Sequence, residues 1–183
     1  MILQYGFLFQ PDRCVSCHSC VIACLNEHRQ TTKQSFRRIV DVNGEYNLSL
    51  SCNHCDSPEC FRVCPENAFS KRRDGIVDLD QTRCNGCGLC LTACPYGALQ
   101  FNDLLKKVDK CNFCSDRQKL GELPACVDAC TTSALLFKND IHSDRPYMQR
   151  TVLTVDGFYS PLLTRPSIRF VPMEKKRRYW LKE

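Results

Sequence analysis

The chain has 183 residues, 16 of them cysteine, with a formal net charge of +5 and a slightly negative mean hydropathy. That composition supports one or two small cores and excludes a large one. Apolar runs such as Ile2–Phe9 and Leu89–Ala93 are far too short to cross a bilayer as helices. The first residues lack the basic and long apolar segments of a secretion signal and lack a twin arginine, so the chain is expected to carry no export signal of its own.

In chain order, Tyr5–Phe9 alternates aromatics and reads as a strand. A first group of cysteines follows, Cys14-x2-Cys17-x2-Cys20-x3-Cys24, with a short helix over Val21–Asn26. Phe36–Val42 and Tyr46–Leu50 flank Asn43-Gly44, a hairpin signal. The second group is Cys52-x2-Cys55-x4-Cys60-x3-Cys64-Pro65, with a helix over Glu59–Cys64. Phe69–Leu79 reads as strand, turn at Asp74-Gly75, and strand over Ile76–Leu79. The third group is Cys84-x2-Cys87-x2-Cys90-x3-Cys94-Pro95, with a helix over Leu89–Cys94 and a strand at Leu99–Phe101. The fourth is Cys111-x2-Cys114-x11-Cys126-x3-Cys130. Its long insert holds a helical turn at Asp116–Leu120, and a helix at Ala125–Cys130 and a strand at Leu135–Phe137 follow. Beyond Lys138 the pattern fades among Pro146, Pro161, Pro166 and Pro172, and the segment is expected to be an extended arm wrapping a partner. Tyr147, Phe158, Tyr159, Phe170, Tyr179 and Trp180 weigh against simple disorder.

Every cysteine falls in one of these four groups of four. A C-x2-C-x2-C loop turns three thiolates inward on one iron–sulfur cube. The closing cysteine, one helical turn on, faces away and ligates a neighbouring cube. A proline after Cys64 and Cys94 ends each helix, whereas Leu25 follows Cys24 and Thr131 follows Cys130. Zinc does not call for this third and fourth cysteine four times over. Disulfides do not suit thiols crowded on one turn. Groups two and three share the proline and are joined by a short stretch, so they form a natural pair and leave groups one and four for each other. The spacing favours this nesting without proving it. It gives four ligand sets: Cys14, Cys17, Cys20 and Cys130; Cys24, Cys111, Cys114 and Cys126; Cys52, Cys55, Cys60 and Cys94; and Cys64, Cys84, Cys87 and Cys90. No ligand position is replaced, so four [4Fe–4S] clusters are expected.

Charge is concentrated at the end of the chain. Residues 165–183 hold seven basic and two acidic side chains, so residues 1–164 sum to zero. An oxidised cube with four thiolates carries about −2, which would make the loaded body acidic by roughly eight charges. The basic tail reads equally as a solvated tail or as a docking segment for an acidic partner or lipid headgroups. Lys106, Lys107, Lys110, Arg37, Arg38 and Lys71-Arg72-Arg73 stand near the cysteine groups. Each raises a potential, touches a partner or, in the favoured reading, lies on a solvated face. His18 and His54, inside the loops, read as supporting or surface residues and not as ligands.

These residues resemble a known family. Gln4-Tyr5-Gly6-Phe7, Ser35-Phe36-Arg37-Arg38, Leu48–Cys55, Cys94-Pro95-Tyr96-Gly97-Ala98, Lys110-Cys111 and the x11 insert are similar to the four-cluster iron–sulfur subunit of the dimethyl sulfoxide reductase family of molybdopterin enzymes. The resemblance runs from Gln4 to about Phe137. It implies the nested ligand sets and a non-catalytic electron-transfer subunit that binds no small-molecule substrate or nucleic acid of its own. The expected partners are a molybdopterin catalytic subunit and a membrane-anchor subunit that oxidises quinol. It also implies an order, with the Cys14 cluster nearest the molybdenum and the Cys87 cluster nearest the quinol. Some relatives hold a three-iron cluster where Trp replaces the residue matching Cys87, and here that cysteine is intact. Location is expected to be at a membrane through partners, on the extracytoplasmic side by co-export in preference to the cytoplasmic side. A freestanding polyferredoxin, or a carrier linked to hydrogenase or formate dehydrogenase, is the alternative.

The fold expected is α+β, with two ferredoxin-like two-[4Fe–4S] modules. Residues 1–51 and 103–138 form the outer module, 52–102 the inserted one, and 139–183 the arm and basic tail.

Overall fold

The computed structural model describes residues 3–28, 35–143 and 145–173. The expected basic tail at Lys175–Lys182, with Tyr179 and Trp180, lies outside them. Short strands and helices alternate around the cysteine loops, a mixed α+β arrangement. The outer face is a three-stranded sheet. Strand β1 (Gly6–Phe9) is central, with β8 (Leu135–Lys138) antiparallel on one side and β9 (Ile168–Phe170) parallel on the other. The remaining strands form three hairpins: β2 (Arg38–Val42) with β3 (Tyr46–Leu50), β4 (Phe69–Lys71) with β5 (Val77–Leu79), and β6 (Leu99–Asn102) with β7 (Lys107–Lys110). The first turns at Asn43 and Gly44, both at positive φ, as the dipeptide demands.

Proline explains where the cluster helices stop. Helix α2 (Glu59–Arg62) and α3 (Leu89–Ala93) end just before Cys64-Pro65 and Cys94-Pro95. Helix α1 (Ser19–His28) has Leu25 where those groups have proline, and it runs past Cys24 to 10 residues. Group four ends its helix without proline. There α4 (Ser115–Lys119) occupies the insert, and α5 (Ala125–Asp128) starts after Pro124 and packs on α1.

The main apolar core lies under the sheet. Phe7 and Phe113 stack at 4.5 Å, and Phe113 also meets the Phe137 ring and the His54 ring edge-on. Leu48, Ile76, Leu135, Ile168 and Phe170 complete it. Two smaller clusters mix cysteines with apolar side chains, Phe36, Tyr96 and Ala98 in one and Phe69, Val77, Leu99 and Val108 in the other.

The segment after Lys138 departs from expectation. Through residue 173 it folds back on its own chain instead of extending away. Helix α6 (Pro146–Gln149) forms, β9 joins β1, and Ile141 donates its amide to the Gln4 carbonyl at 2.9 Å. Phe158 stacks on Tyr96 at 5.1 Å, and Tyr46 donates to the Asp156 carbonyl at 2.6 Å. The aromatics noted in this segment therefore serve, in part, the chain's own packing.

Leu25→Pro tests the helix-ending argument. Proline there removes an interior amide of α1 and should cost about 3 kcal/mol. A lower denaturant midpoint with less helical circular dichroism is the expected reading, and an unchanged midpoint would refute the argument.

Candidate metal centres

In all four groups the residue just before the second cysteine has positive φ: Ser16 (54°), His54 (43°), Gly86 (78°) and Phe113 (63°). The residue after that cysteine also does so in groups one and three, at His18 (59°) and Gly88 (78°). Alternating handedness of this kind curls a loop so that successive amides face one concavity, a shape suited to an anionic group. Glycine makes the turn legible in group three. Ser16, His54 and Phe113 accept the same turn without a sequence signal, because the surrounding structure holds them there.

None of the sixteen cysteines is paired in a disulfide. The Cys14 thiol is within electrostatic reach of Cys17, Cys20 and Cys130. Cys111 faces Cys24, Cys114 and Cys126. Cys60 faces Cys52, Cys55 and Cys94, and the same four line one small cavity. Cys90 faces Cys64, Cys84 and Cys87, which line another with it. Neighbouring quartets also meet: Cys126 is in reach of Cys20, and Cys111 of Cys52. Cys60, Cys64, Cys90 and Cys94 share one apolar cluster. The quartets thus form a row.

Exposure changes along that row. Cys17 and Cys87 are exposed, one in each end quartet, while Cys24, Cys111, Cys114 and Cys126 are all buried. Burial pushes the thiols of Cys55, Cys60 and Cys114 up to about 12. Cys17, at the surface, is lowered by hydrogen bonds from Ser19. The donor sets fit iron–sulfur cubes: four sulfurs each, in loops shaped for an anion. Among the described residues no three Cys, His, Asp or Glu side chains converge on a single-ion site, and four sulfurs around a multi-iron core stand farther apart than four around one ion.

The supporting side chains differ from the solvated-face reading at two positions. Arg37 and Lys110 are buried. Arg38 is half-buried and donates to the Tyr96 and Gly97 carbonyls behind Cys94. Lys107 reaches the Gln81 carbonyl at 2.5 Å, and Lys106 is exposed. Lys71 pairs with Asp56 and Arg72 with Asp74. His18 is exposed. His54 is buried and accepts the Val77 amide on Nδ1 at 3.2 Å, and burial with nearby Lys110 holds it neutral, well below its usual range.

Thr164 was not singled out from sequence. It is fully buried, pairs with the Tyr96 hydroxyl at 2.7 Å and lines the cavity of the Cys52, Cys55, Cys60 and Cys94 quartet. Its flanks fix the same loop, since Asp56 and Ser57 donate amides to the carbonyls of Arg165 and Thr164, and Ser167 donates to Asn53 and His54. A lone threonine between prolines gives no signal of this before folding.

Two family models match. One is described as a 4Fe-4S dicluster domain and covers residues 44–140; the other is a 4Fe-4S binding domain at residues 11–27. One component of the anaerobic dimethyl sulfoxide reductase of Escherichia coli is 41% identical over 152 residues, covering 75% of this chain and 74% of that one. A component of the tetrathionate reductase of Salmonella typhimurium is 40% identical over 76% of this chain and 60% of its own length. A component of the polysulfide reductase of Wolinella succinogenes is 35% identical over 96% of this chain and 97% of its own. With sixteen cysteines and these domains, the chain carries four [4Fe–4S] clusters.

A double-variant cycle tests the Thr164 contact. Thr164→Val and Tyr96→Phe should each cost about 1 kcal/mol, because each leaves the other's buried hydroxyl unmatched. The double variant should cost clearly less than the sum in denaturant unfolding. Strict additivity would show that the two hydroxyls do not act together.

Proposed function

The chain is a member of the iron–sulfur subunit family of the dimethyl sulfoxide, tetrathionate and polysulfide reductases, and on that premise we propose that it relays electrons between a membrane-anchor subunit that oxidises quinol and a molybdopterin catalytic subunit. The observation that carries the reading is the row of quartets, exposed at its two ends and buried in the middle. Such a row accepts an electron at one surface, shields it from water inside, and delivers it at the other surface. The cubes, when bound, take up and give back one electron at a time. The protein holds no substrate and does no bond chemistry of its own.

The ligand sets follow the neighbours in the structure. Cys14, Cys17, Cys20 and Cys130 hold one cluster; Cys24, Cys111, Cys114 and Cys126 the second; Cys52, Cys55, Cys60 and Cys94 the third; and Cys64, Cys84, Cys87 and Cys90 the fourth. Groups one and four exchange their last cysteines, as do groups two and three, so residues 52–102 form a ferredoxin-like module inserted in a second one. The Cys17 end faces the catalytic subunit and the Cys87 end the anchor. No helix among the described residues is long and apolar enough to cross a membrane. The chain is held at the membrane by partners, on the extracytoplasmic side after co-export with the catalytic subunit. The family supports this fixed position over a freestanding carrier.

Metal analysis tests the reading directly. The purified complex should yield about sixteen irons for this chain with matching acid-labile sulfide. About four zincs and no iron would overturn it. Cys87→Ser should alter the spectrum of one cluster alone, converting it to a three-iron form or to serine ligation. Four unaltered cubes would remove Cys87 from the ligands.

A further inference from the structure

Among the described residues, the buried side chains with a standing charge are Arg37 and Lys110, and no Asp or Glu is buried with them. Neither makes an ion pair with a carboxylate among those residues. Buried charge without a counter-charge is strongly destabilising. Their surroundings show where the counter-charge lies.

Arg37 is held on all sides. Nη1 donates to the Ser49 carbonyl at 3.1 Å and to Ser49 Oγ at 3.0 Å, and Nη2 donates to Ser51 Oγ at 2.9 Å. The guanidinium carbon sits 4.6 Å from the Phe7 ring centroid. Nε is buried with no partner. The Cys126 thiol lies within electrostatic reach of the guanidinium, and the hydroxyl of Ser49 lies 3.5 Å from the Cys20 sulfur. Arg37 therefore reaches the first quartet through Ser49 and stands beside the second, whose Cys126 shares an apolar cluster with Phe7 and Cys20. Although burial opposes its charge, the thiolates of Cys126, Cys111, Cys20 and Cys24 hold it protonated more firmly than usual.

Lys110 stands at the next gap. Its ammonium donates to the carbonyls of Val77 and Cys111, the latter at 2.9 Å, and Val77 packs with Cys60 in one apolar cluster. Cys111 belongs to the second quartet and Cys60 to the third. The side-chain hydrogen bonds of the two cations go to Ser49, Ser51, Val77 and Cys111, none of them in the fourth quartet.

We infer that Arg37 and Lys110 are potential-setting residues, placed at the two inner gaps of the row, whose counter-charges are the clusters themselves. The inference rests on the ligand sets proposed above. Each electron received adds one negative charge, and a fixed cation beside it favours the reduced form. The Cys24/Cys111/Cys114/Cys126 cluster borders both cations and is raised most. The first and third clusters border one each, and the fourth borders neither.

The test is redox-poised electron paramagnetic resonance on the purified complex, cluster by cluster. Arg37→Gln should move the midpoints of the first two clusters to more negative potential. Lys110→Met should move those of the second and third. The fourth should stay put in both. Arg37→Lys and Lys110→Arg, which keep the charge, should remain near wild type. Full iron and sulfide with four unmoved midpoints, or an equal shift of all four, would overturn the inference. If Arg37→Gln loses iron while Arg37→Lys keeps it, the need for charge is upheld. If both lose iron, shape and hydrogen bonding are what matter and the inference fails. Lys110→Met and Lys110→Arg are read in the same way. Iron missing from the wild-type complex would instead sink the ligand assignment, so the two failures are distinct.

Discussion

Burying sulfur is the constraint to which this fold answers. A thiol away from water resists ionisation, and Cys55, Cys60 and Cys114 are each pushed up to about 12. Such thiols hold their protons at neutral pH until a metal centre displaces them, so loading releases protons and grows less favourable as pH falls. The protein meets the cost in three ways. Loops curl amides toward the thiols, Arg37 and Lys110 bring positive charge inside, and carboxylates are kept out of the interior.

The apolar residues are arranged around that need. A small protein has few of them to spare, and here the true aromatic core, built on Phe7 and Phe113, sits under the outer sheet. Elsewhere the cysteines themselves pack among the apolar side chains, as the majority of one cluster and a minority of the other. The long helix α1 and its contact with α5 bring groups one and four together across more than 80 intervening residues.

Much of this was legible because cysteine spacing is a local record of three-dimensional geometry. The group boundaries, the short helices and the Asn43-Gly44 hairpin follow from residues close in sequence. Proline at 65 and 95 marks helix ends that the structure places within a few residues. What was not legible depends on distant partners. Arg37 stands beside Arg38 in a hydrophilic-looking stretch, yet one is buried among thiols and the other reaches a surface loop. Strand β7, with three charged residues in four, takes its shape from β6 and carries no alternation of its own. Strand β9 is three residues between two prolines and exists because β1 offers an open edge. Thr164 and the left-handed turns at Ser16, His54 and Phe113 are likewise imposed by the assembled molecule.

The closure of the Asn53–Ser57 loop by residues 164–167 also bears on how the chain is made. A ribosome delivers Cys52 through Cys94 early, and that stretch already holds the donors of groups two and three. On the proposed ligand sets, Cys14, Cys17 and Cys20 emerge before them but wait for Cys130, and the strap over the inner loop arrives later still. Donor sets are thus completed from the inside outward, while the strand that flanks β1 is among the last to appear. A truncated product would present an open inner loop and an unfilled sheet edge, two features by which a cell can tell an unfinished chain from one ready for its cofactors.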